Sequence, residues 1–196
     1  FCDDPTLLDR YNVPGPSCEG YLYPETYSFA SGTRPEVVFG VIFAAYRSAF
    51  DEISVGAGGP LKLSERELVT LASIVEKESA KDEERAHIAG VFINRLKRGM
   101  RLQTDPTLIY HPDHAGTVPT PKHRVDATNP YNTYAHDGLP PGPICSPTRR
   151  TLEASLAPDR HDFLYFCARR DGTGRHAFAR TLQEHETNVR RYLKGR

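Results

Sequence analysis

The feature that most constrains the fold is a helical segment with an apolar face and a carboxylate at the edge of that face. The segment starts at Ser64, and Glu67 follows three residues later, which is the spacing of a capping box. Apolar residues then recur at the helical repeat: Leu68, Leu71, Ala72 and Val75. These signals predict a helix over about residues 65–81 with one stripe buried in a core.

Glu78 is the carboxylate at the edge of this stripe. At about 100° per residue it falls between Leu71 and Val75, one or two turns further along the helix. Glu76 falls farther from the centre of the stripe, so replacing it by Gln is expected to have only a mild effect on activity. Poor hydration at the edge raises the pKa of a carboxyl group, which then holds a proton near neutral pH. Glu78 therefore fits the general acid that cleavage of a glycosidic bond requires.

Two ordinary interpretations of Glu78 compete with this one. Glu is a good helix former, and most Glu residues on helices are solvated surface groups. Alternatively, Glu78 forms an ion pair with Lys81 or Arg85 at the edge of the helix.

The composition is that of a globular protein and excludes some classes of partner. The chain has 196 residues, of which 38% are hydrophobic and 26% are charged. A formal net charge of zero gives no support for nucleic acid or an anionic membrane surface as the main partner. No run approaches the ~18 apolar residues of a membrane span. Because the chain begins with Phe1, we expect a piece whose upstream signal or anchor is not visible.

The four cysteines do not suggest a metal site or a cofactor. None forms a C-x-x-C pair, and none stands near a histidine at zinc spacing. Cys2 and Cys18 flank a loop rich in Pro and Gly, where a disulfide in an oxidising compartment and free thiols are both open. Cys145 has no candidate base among its neighbours, so we expect a plain loop cysteine.

The pattern along the chain predicts one α+β domain, divided as follows. Residues 1–33 form an N-terminal loop that walls a cleft, and residues 34–98 form a helical body that carries Glu78. Residues 99–146 form a long irregular loop of the kind that binds substrate. Residues 147–196 form a short helix opened by Ser146-Pro147, a small β-hairpin and a C-terminal amphipathic helix.

The chain resembles the catalytic domain of the endolytic murein transglycosylases of the MltG type, the YceG-like proteins. Several segments carry the resemblance in order along the chain: residues 19–27, 72–79, 91–96, 100–107, 131–134, 138–144, 164–166 and 176–178. This family implies a lysozyme-like transglycosylase core, with a Glu followed by Ser or Thr as its catalytic acid. Glu78-Ser79 matches that pattern, and Glu76 does not.

The resemblance implies an activity and a place in the cell. Such enzymes cut peptidoglycan glycan strands internally, at the β-1,4 bond between N-acetylmuramic acid and N-acetylglucosamine, and leave 1,6-anhydro-muramyl ends. They act in cell-wall assembly and strand termination, at the extracytoplasmic face of the inner membrane, in association with cell-wall synthesis complexes. The family carries an upstream membrane anchor and a LysM-like module, so we expect this chain to be the catalytic part alone.

The long loop supplies the candidate substrate-binding residues, which are Gln103, Asp105, Tyr131, Asn132 and Tyr134. Amide groups bond sugar hydroxyls and N-acetyl carbonyls, and tyrosine rings stack on sugar faces. The structural alternative is that the tyrosines pack the loop onto the helices and that Asp105 anchors a turn. His176 is expected to be a solvated or hydrogen-bonded bystander at the end of a strand.

Two further functions remain open at this point. A muramidase-type hydrolase would use a water nucleophile and a second carboxylate, for which Asp105 and Glu25 are the candidates. A peptidoglycan-binding scaffold module would have the same cleft without turnover.

Overall fold

The computed structural model describes residues 2–55, 59, 61–110 and 116–193. These residues form a mostly helical structure with a small two-stranded antiparallel sheet, which is the coarse form of the expected α+β class. The helices are α1 (Pro5–Arg10), α2 (Pro35–Ser54), α3 (Glu65–Glu78), α4 (Arg85–Lys97), α5 (Asp105–Leu108), α6 (Pro121–Val125), α7 (Arg149–Leu156) and α8 (Leu182–Leu193). The strands are β1 (Tyr165–Ala168) and β2 (His176–Ala179), and a 3-10 turn (Asp82–Glu84) leads directly into α4.

Helix α3 begins where the capping box predicted. The Ser64 side chain accepts a hydrogen bond from the Glu67 backbone N–H at 3.3 Å, and Glu67 accepts one from the Ser64 backbone N–H at 2.8 Å. The helix ends earlier than expected, because Ser79 has an extended backbone with φ −96° and ψ 114°. Glu78 is therefore the last helical residue, and its side chain leaves the helix at the point where the chain turns away.

Helix α3 is the centre of the core, and it is buried more completely than the predicted stripe. Every residue from 68 to 75 is buried, including Thr70 and Ser73. One hydrophobic cluster on α3 joins it to α1, α2 and α7, and another joins it to α4 and the long loop. Since each large apolar side chain contributes about 1.5–3 kcal/mol on full burial, this core outweighs the cost of a poorly hydrated Glu78 at its end.

Three local expectations need correction. Residues 1–33 are not only loop, because Asp4 caps a short helix with Pro5 at its first position. The long loop contains α5 and α6. Helix α7 begins at Arg149 with Thr148 as N-cap, two residues after the predicted start at Ser146-Pro147. The Glu76 carboxylate accepts a hydrogen bond from the Thr148 backbone N–H at 3.0 Å and stabilises this start.

The ends of the chain are tied to this body in two ways. Cys2 and Cys18 form a disulfide, one of the two states that the sequence left open. The hairpin pairs Tyr165 with Ala179 and Ala168 with His176, and α8 packs on both of its strands.

Among the described helices, none combines the length and the hydropathy needed to cross a membrane.

Glu76 joins three helices at a polar junction inside the body. Its carboxylate accepts hydrogen bonds from the Thr148 N–H at 3.0 Å, from the Thr148 hydroxyl at 2.9 Å and from Thr151, and it pairs with Arg85 at 3.0 Å. Burial alone would raise the pKa of Glu76, but these donors together outweigh burial and hold the pKa below its usual range. The ionised carboxylate therefore contributes to the stability of the fold.

Glu76→Gln tests this junction. The amide keeps the size of the side chain and loses the charge that Arg85 faces, so the unfolding free energy at pH 7 is expected to fall by about 1–3 kcal/mol. A lowered folded-state pKa contributes stability above the unfolded pKa and loses it as pH falls through the folded value. In urea denaturation, the difference in unfolding free energy between variant and parent should therefore become smaller as pH falls below about 4.3.

The matched control for this measurement is Glu153→Gln, which breaks an exposed ion pair with Arg149 four residues away. An exposed pair of this kind is worth less than about 0.5 kcal/mol. Equal losses in the two variants would contradict the structural role of Glu76.

Candidate active site

Glu78 lies in a cleft of about 570 Å³ between the end of α3, the start of the long loop, the hairpin and α8. The polar lining comprises Glu78, Arg95, Gln103, Asp105, Arg124, Tyr134, Tyr165, His176 and His185. In addition to Glu78, three predicted site residues lie in this cleft, namely Gln103, Asp105 and Tyr134. Among the described residues, no cluster of side chains could hold a metal ion.

The environment of Glu78 favours its protonated form. Burial is the largest influence and raises the pKa of Glu78. A hydrogen bond from the Thr104 hydroxyl to Oε1 lowers it, the charge of Asp105 raises it and His176 lowers it, and the net pKa is raised. The alternative partner Arg85 is engaged by Glu76 and Asp82 instead. The side chain is neither a freely solvated group nor half of an ion pair with Arg85.

Thr104 owes its position to the hydroxyl of Thr133. That hydroxyl accepts a hydrogen bond from the Thr104 backbone N–H at 3.0 Å, and the preceding Gln103 N–H donates to the Thr133 carbonyl at 3.1 Å. Gln103 has φ 51°, a left-handed conformation that a non-glycine residue adopts only when its surroundings hold it there. The loop therefore turns the Thr104 hydroxyl toward Glu78 and leaves the Gln103 side chain exposed in the cleft.

Asp105 is both a cleft residue and an anchor of the loop. Its Oδ1 accepts a hydrogen bond from the Tyr134 hydroxyl at 2.7 Å, and Arg124 contacts its two oxygens at 3.1 and 3.2 Å. The Arg124 guanidinium also lies over the Tyr134 ring, 5.0 Å from its centroid. Asp105 is therefore an anchor of the loop, one of the two uses that the sequence left open, and its place in the cleft leaves substrate contact as a prediction.

Asn132 and Tyr131 have a different use from the predicted substrate contact. Asn132 is 0% exposed, and its amide donates to the carbonyls of His123 at 2.9 Å and Asp126 at 2.7 Å. Its Oδ1 accepts from the Tyr134 N–H at 2.9 Å. Tyr131 packs against Tyr110 with ring centroids 4.7 Å apart, outside the Glu78 cleft. Both residues shape the loop, and neither lines the Glu78 cleft.

Glu25, the other candidate for a second carboxylate, lies in a separate hollow. It lines that hollow with Tyr23, Arg149 and Arg150, away from the residues around Glu78. Asp105 is thus the candidate that the structure brings to the cleft.

Arg95 is a cleft residue that sequence reasoning missed. It is 8% exposed, and its Nε donates to the Leu164 carbonyl at 2.6 Å while Nη1 donates to the carbonyls of Arg101 at 3.0 Å and Leu102 at 2.9 Å. Burial lowers the pKa of Arg95. The side chain fastens the start of the long loop to the hairpin. The available signal was an arginine within the apolar run of α4.

His176 also lies in the wall of the cleft, where sequence reasoning favoured a bystander. It is 7% exposed, its Nδ1 is 2.8 Å from Glu84 Oε2, and its backbone N–H donates to the same carboxylate at 3.1 Å. Glu84 thus fixes the ring at Nδ1, and His176 lines the same cleft as Glu78. The partner could not be found from the sequence, since Glu84 is 92 residues away along the chain.

Fold and site together define a class of protein. It is a mostly helical domain with a small antiparallel sheet, and its cleft contains a carboxylic acid whose pKa is raised by burial. Comparison with known proteins agrees with this class. The sequence model of the YceG-like family matches residues 4–191, and the chain belongs to that family.

Two curated relatives agree with this family assignment. The chain is 37% identical over 182 residues to an endolytic murein transglycosylase of Bacillus subtilis (strain 168), a match that covers 91% of this chain and 49% of the relative. It is 36% identical over 201 residues to an endolytic murein transglycosylase of Streptococcus pneumoniae, covering 98% of this chain and 36% of the relative. The chain thus spans half or less of the length of these curated relatives.

A solved structure supports the fold. The crystal structure of a yceG-like protein from Listeria monocytogenes aligns with a TM-score of 0.83 at 35% identity, covering 95% of this chain and 64% of the other.

Glu78→Gln tests, without any substrate, whether the pKa of Glu78 is raised in the folded protein. A folded pKa above the unfolded one means that the folded protein loses stability as pH rises from about 4.3 through the folded value. Gln accepts the Thr104 hydrogen bond and carries no charge, so the variant should be more stable than the parent at pH 7, and the difference should vanish in acid. A higher urea midpoint at pH 7 is the expected result, opposite in sign to that of Glu76→Gln, and a lower midpoint would contradict it.

Proposed function

We propose that this chain is the catalytic domain of an endolytic lytic transglycosylase that cleaves peptidoglycan glycan strands. The bond is the β-1,4 link between N-acetylmuramic acid and N-acetylglucosamine, and the product carries a 1,6-anhydro-muramyl end. The observation that carries the proposal is Glu78, a carboxyl group with a raised pKa at the end of a buried helix, facing an open cleft. Membership of the YceG-like family and the names of the relatives support it.

In the first half of the reaction Glu78 acts as general acid. An unperturbed Glu with a pKa of about 4.3 would be ionised at pH 7, whereas burial raises the pKa of Glu78 and so favours the protonated form. Glu78 gives that proton to the glycosidic oxygen as the bond from C1 to this oxygen breaks. Positive charge then develops at C1 of the muramyl sugar, and the fixed carboxylate of Asp105 is placed in the same cleft to stabilise it.

In the second half Glu78 acts as general base. Loss of its proton leaves the carboxylate that the next step needs, and the Thr104 hydroxyl and the nearby His176 both favour this ionised form. The C6 hydroxyl of the same sugar attacks C1, a bond from O6 to C1 forms, and Glu78 takes the proton of that hydroxyl. The enzyme returns to its starting state, and no water is consumed.

The state of Asp105 favours this reaction over hydrolysis by a carboxylate pair. A retaining glycosidase uses its second carboxylate as a nucleophile, and an inverting enzyme uses it to activate water. Asp105 instead accepts hydrogen bonds from Tyr134 and Arg124, which lower its availability as a base or nucleophile. Gln103 and Tyr134 remain the polar and aromatic groups that would contact the sugar.

The proposal extends to the surroundings of the enzyme. A Cys2–Cys18 disulfide suits an oxidising compartment, which supports action at the extracytoplasmic face of the membrane. Peptidoglycan strands are the proposed substrate, cell-wall synthesis complexes are the proposed partners and strand termination is the proposed role. A membrane anchor and a LysM-like module in the full-length protein, together with a lysozyme-like core in this domain, belong to the same proposal.

The test is mass spectrometry of purified glycan strands after incubation with this chain and with Glu78→Gln. We expect internal fragments with anhydro-muramyl ends from the unaltered chain and a loss of at least about a hundredfold in rate for the variant, because an amide cannot give or take the proton. Glu76→Gln, assayed where it is folded, is the matched control and should retain most of the activity.

The outcomes separate the alternatives by mass. Reducing ends, which carry the mass of one added water, would replace the transglycosylase with a hydrolase. Binding of strands without any turnover by the parent would favour a scaffold module. Activity retained in Glu78→Gln would show that Glu78 is not the acid.

A further inference from the structure

A second hollow adjoins the Glu78 cleft on the other side of Asp105. It has a volume of about 460 Å³, within the range of small-ligand sites, and it lies between the exposed side of α3, the end of α5 and the segment around Ile144. Its lining includes Lys77, Asp105, Pro106, Ile109, Tyr110 and Ile144. Asp105 lines both spaces, so the two hollows adjoin at this residue.

The lining of this hollow is apolar with one cation at its edge. Proline, isoleucine and tyrosine side chains form surfaces of the kind that pack on the C–H faces and acetyl methyl groups of N-acetylated sugars. Lys77 is exposed, and it forms no ion pair with any carboxylate in the part of the chain that the structure describes. Asp105, which lines the same hollow, forms its ion pair with Arg124. The ammonium of Lys77 is thus available to an anion in the hollow.

We propose that this hollow is a second arm of the cleft. It binds an N-acetylated sugar of the strand on the far side of the scissile bond, and Lys77 binds a carboxylate that the strand carries there. The inference rests on the proposed function, since a glycan strand cut internally must continue on both sides of Glu78. Lys77 immediately precedes Glu78 in α3, so its side chain leaves the helix about 100° away from the catalytic group. One turn of helix thereby presents the acid to one hollow and the cation to the other.

The test measures binding in the Glu78→Gln background, where nothing is cleaved and effects on proton transfer do not enter. Two probes are titrated by calorimetry: a peptide-free muramyl hexasaccharide with free lactyl carboxylates, and chitohexaose, which is neutral. Lys77→Ala should weaken binding of the muramyl probe about three- to tenfold, as expected for a partly exposed charge-assisted contact. Binding of chitohexaose should stay within about twofold, and the muramyl loss should shrink at high salt.

The matched control is Lys97→Ala, an exposed lysine near the end of α4 that lines neither arm. Equal affinities of the Lys77 and Lys97 variants for the muramyl probe, equal losses of Lys77→Ala with both probes, or no binding of the muramyl probe to the parent would each overturn the second arm. The proposed function fails on a different result, the absence of anhydro products from the unaltered chain, so the two can be told apart.

Discussion

The limited access of water to the Glu78 carboxyl group is the constraint on which the site depends. Helix α3 is buried over residues 68–75 and stops at Glu78, so the acid stands where the core meets the cleft. Burial raises its pKa, and the opposing influence of the Thr104 hydroxyl and His176 moderates the rise without cancelling it. A group that both gives and takes a proton needs this intermediate balance, because a fully stabilised form would serve only one of the two steps.

Two glutamates on the same helix show how donors decide the outcome. Glu76 and Glu78 are separated by a single residue, and both are withdrawn from water. Glu76 meets two threonines and Arg85, which outweigh burial and lower its pKa. Glu78 accepts a hydrogen bond from Thr104 and lies near the negative charge of Asp105, so burial prevails. The first glutamate holds helices together, and the second carries a cost in stability that the proposed general acid requires.

The sequence was sufficient for features that depend on neighbours along the chain. The capping box at Ser64, the position of Glu78 at the edge of the apolar face, the hairpin and α8 follow from local spacing. Features that depend on distant partners could not be predicted in the same way. Asn132 is a sugar-binding type by composition, yet its amide donates to the backbone carbonyls of His123 and Asp126 at the end of α6. The roles of Arg95 and His176 depend on partners about 70 and 90 residues away, namely Leu164 and Glu84.

The most direct test of this account is a ¹³C NMR titration of the carboxyl groups of Glu76 and Glu78 in the unaltered chain, with each resonance assigned through its Gln variant. The account predicts a pKa for Glu78 above about 4.3 and a pKa for Glu76 below it. A Glu78 pKa at or below that of Glu76 would mean that water reaches the cleft acid freely, and would contradict the general-acid role on which the proposed function rests.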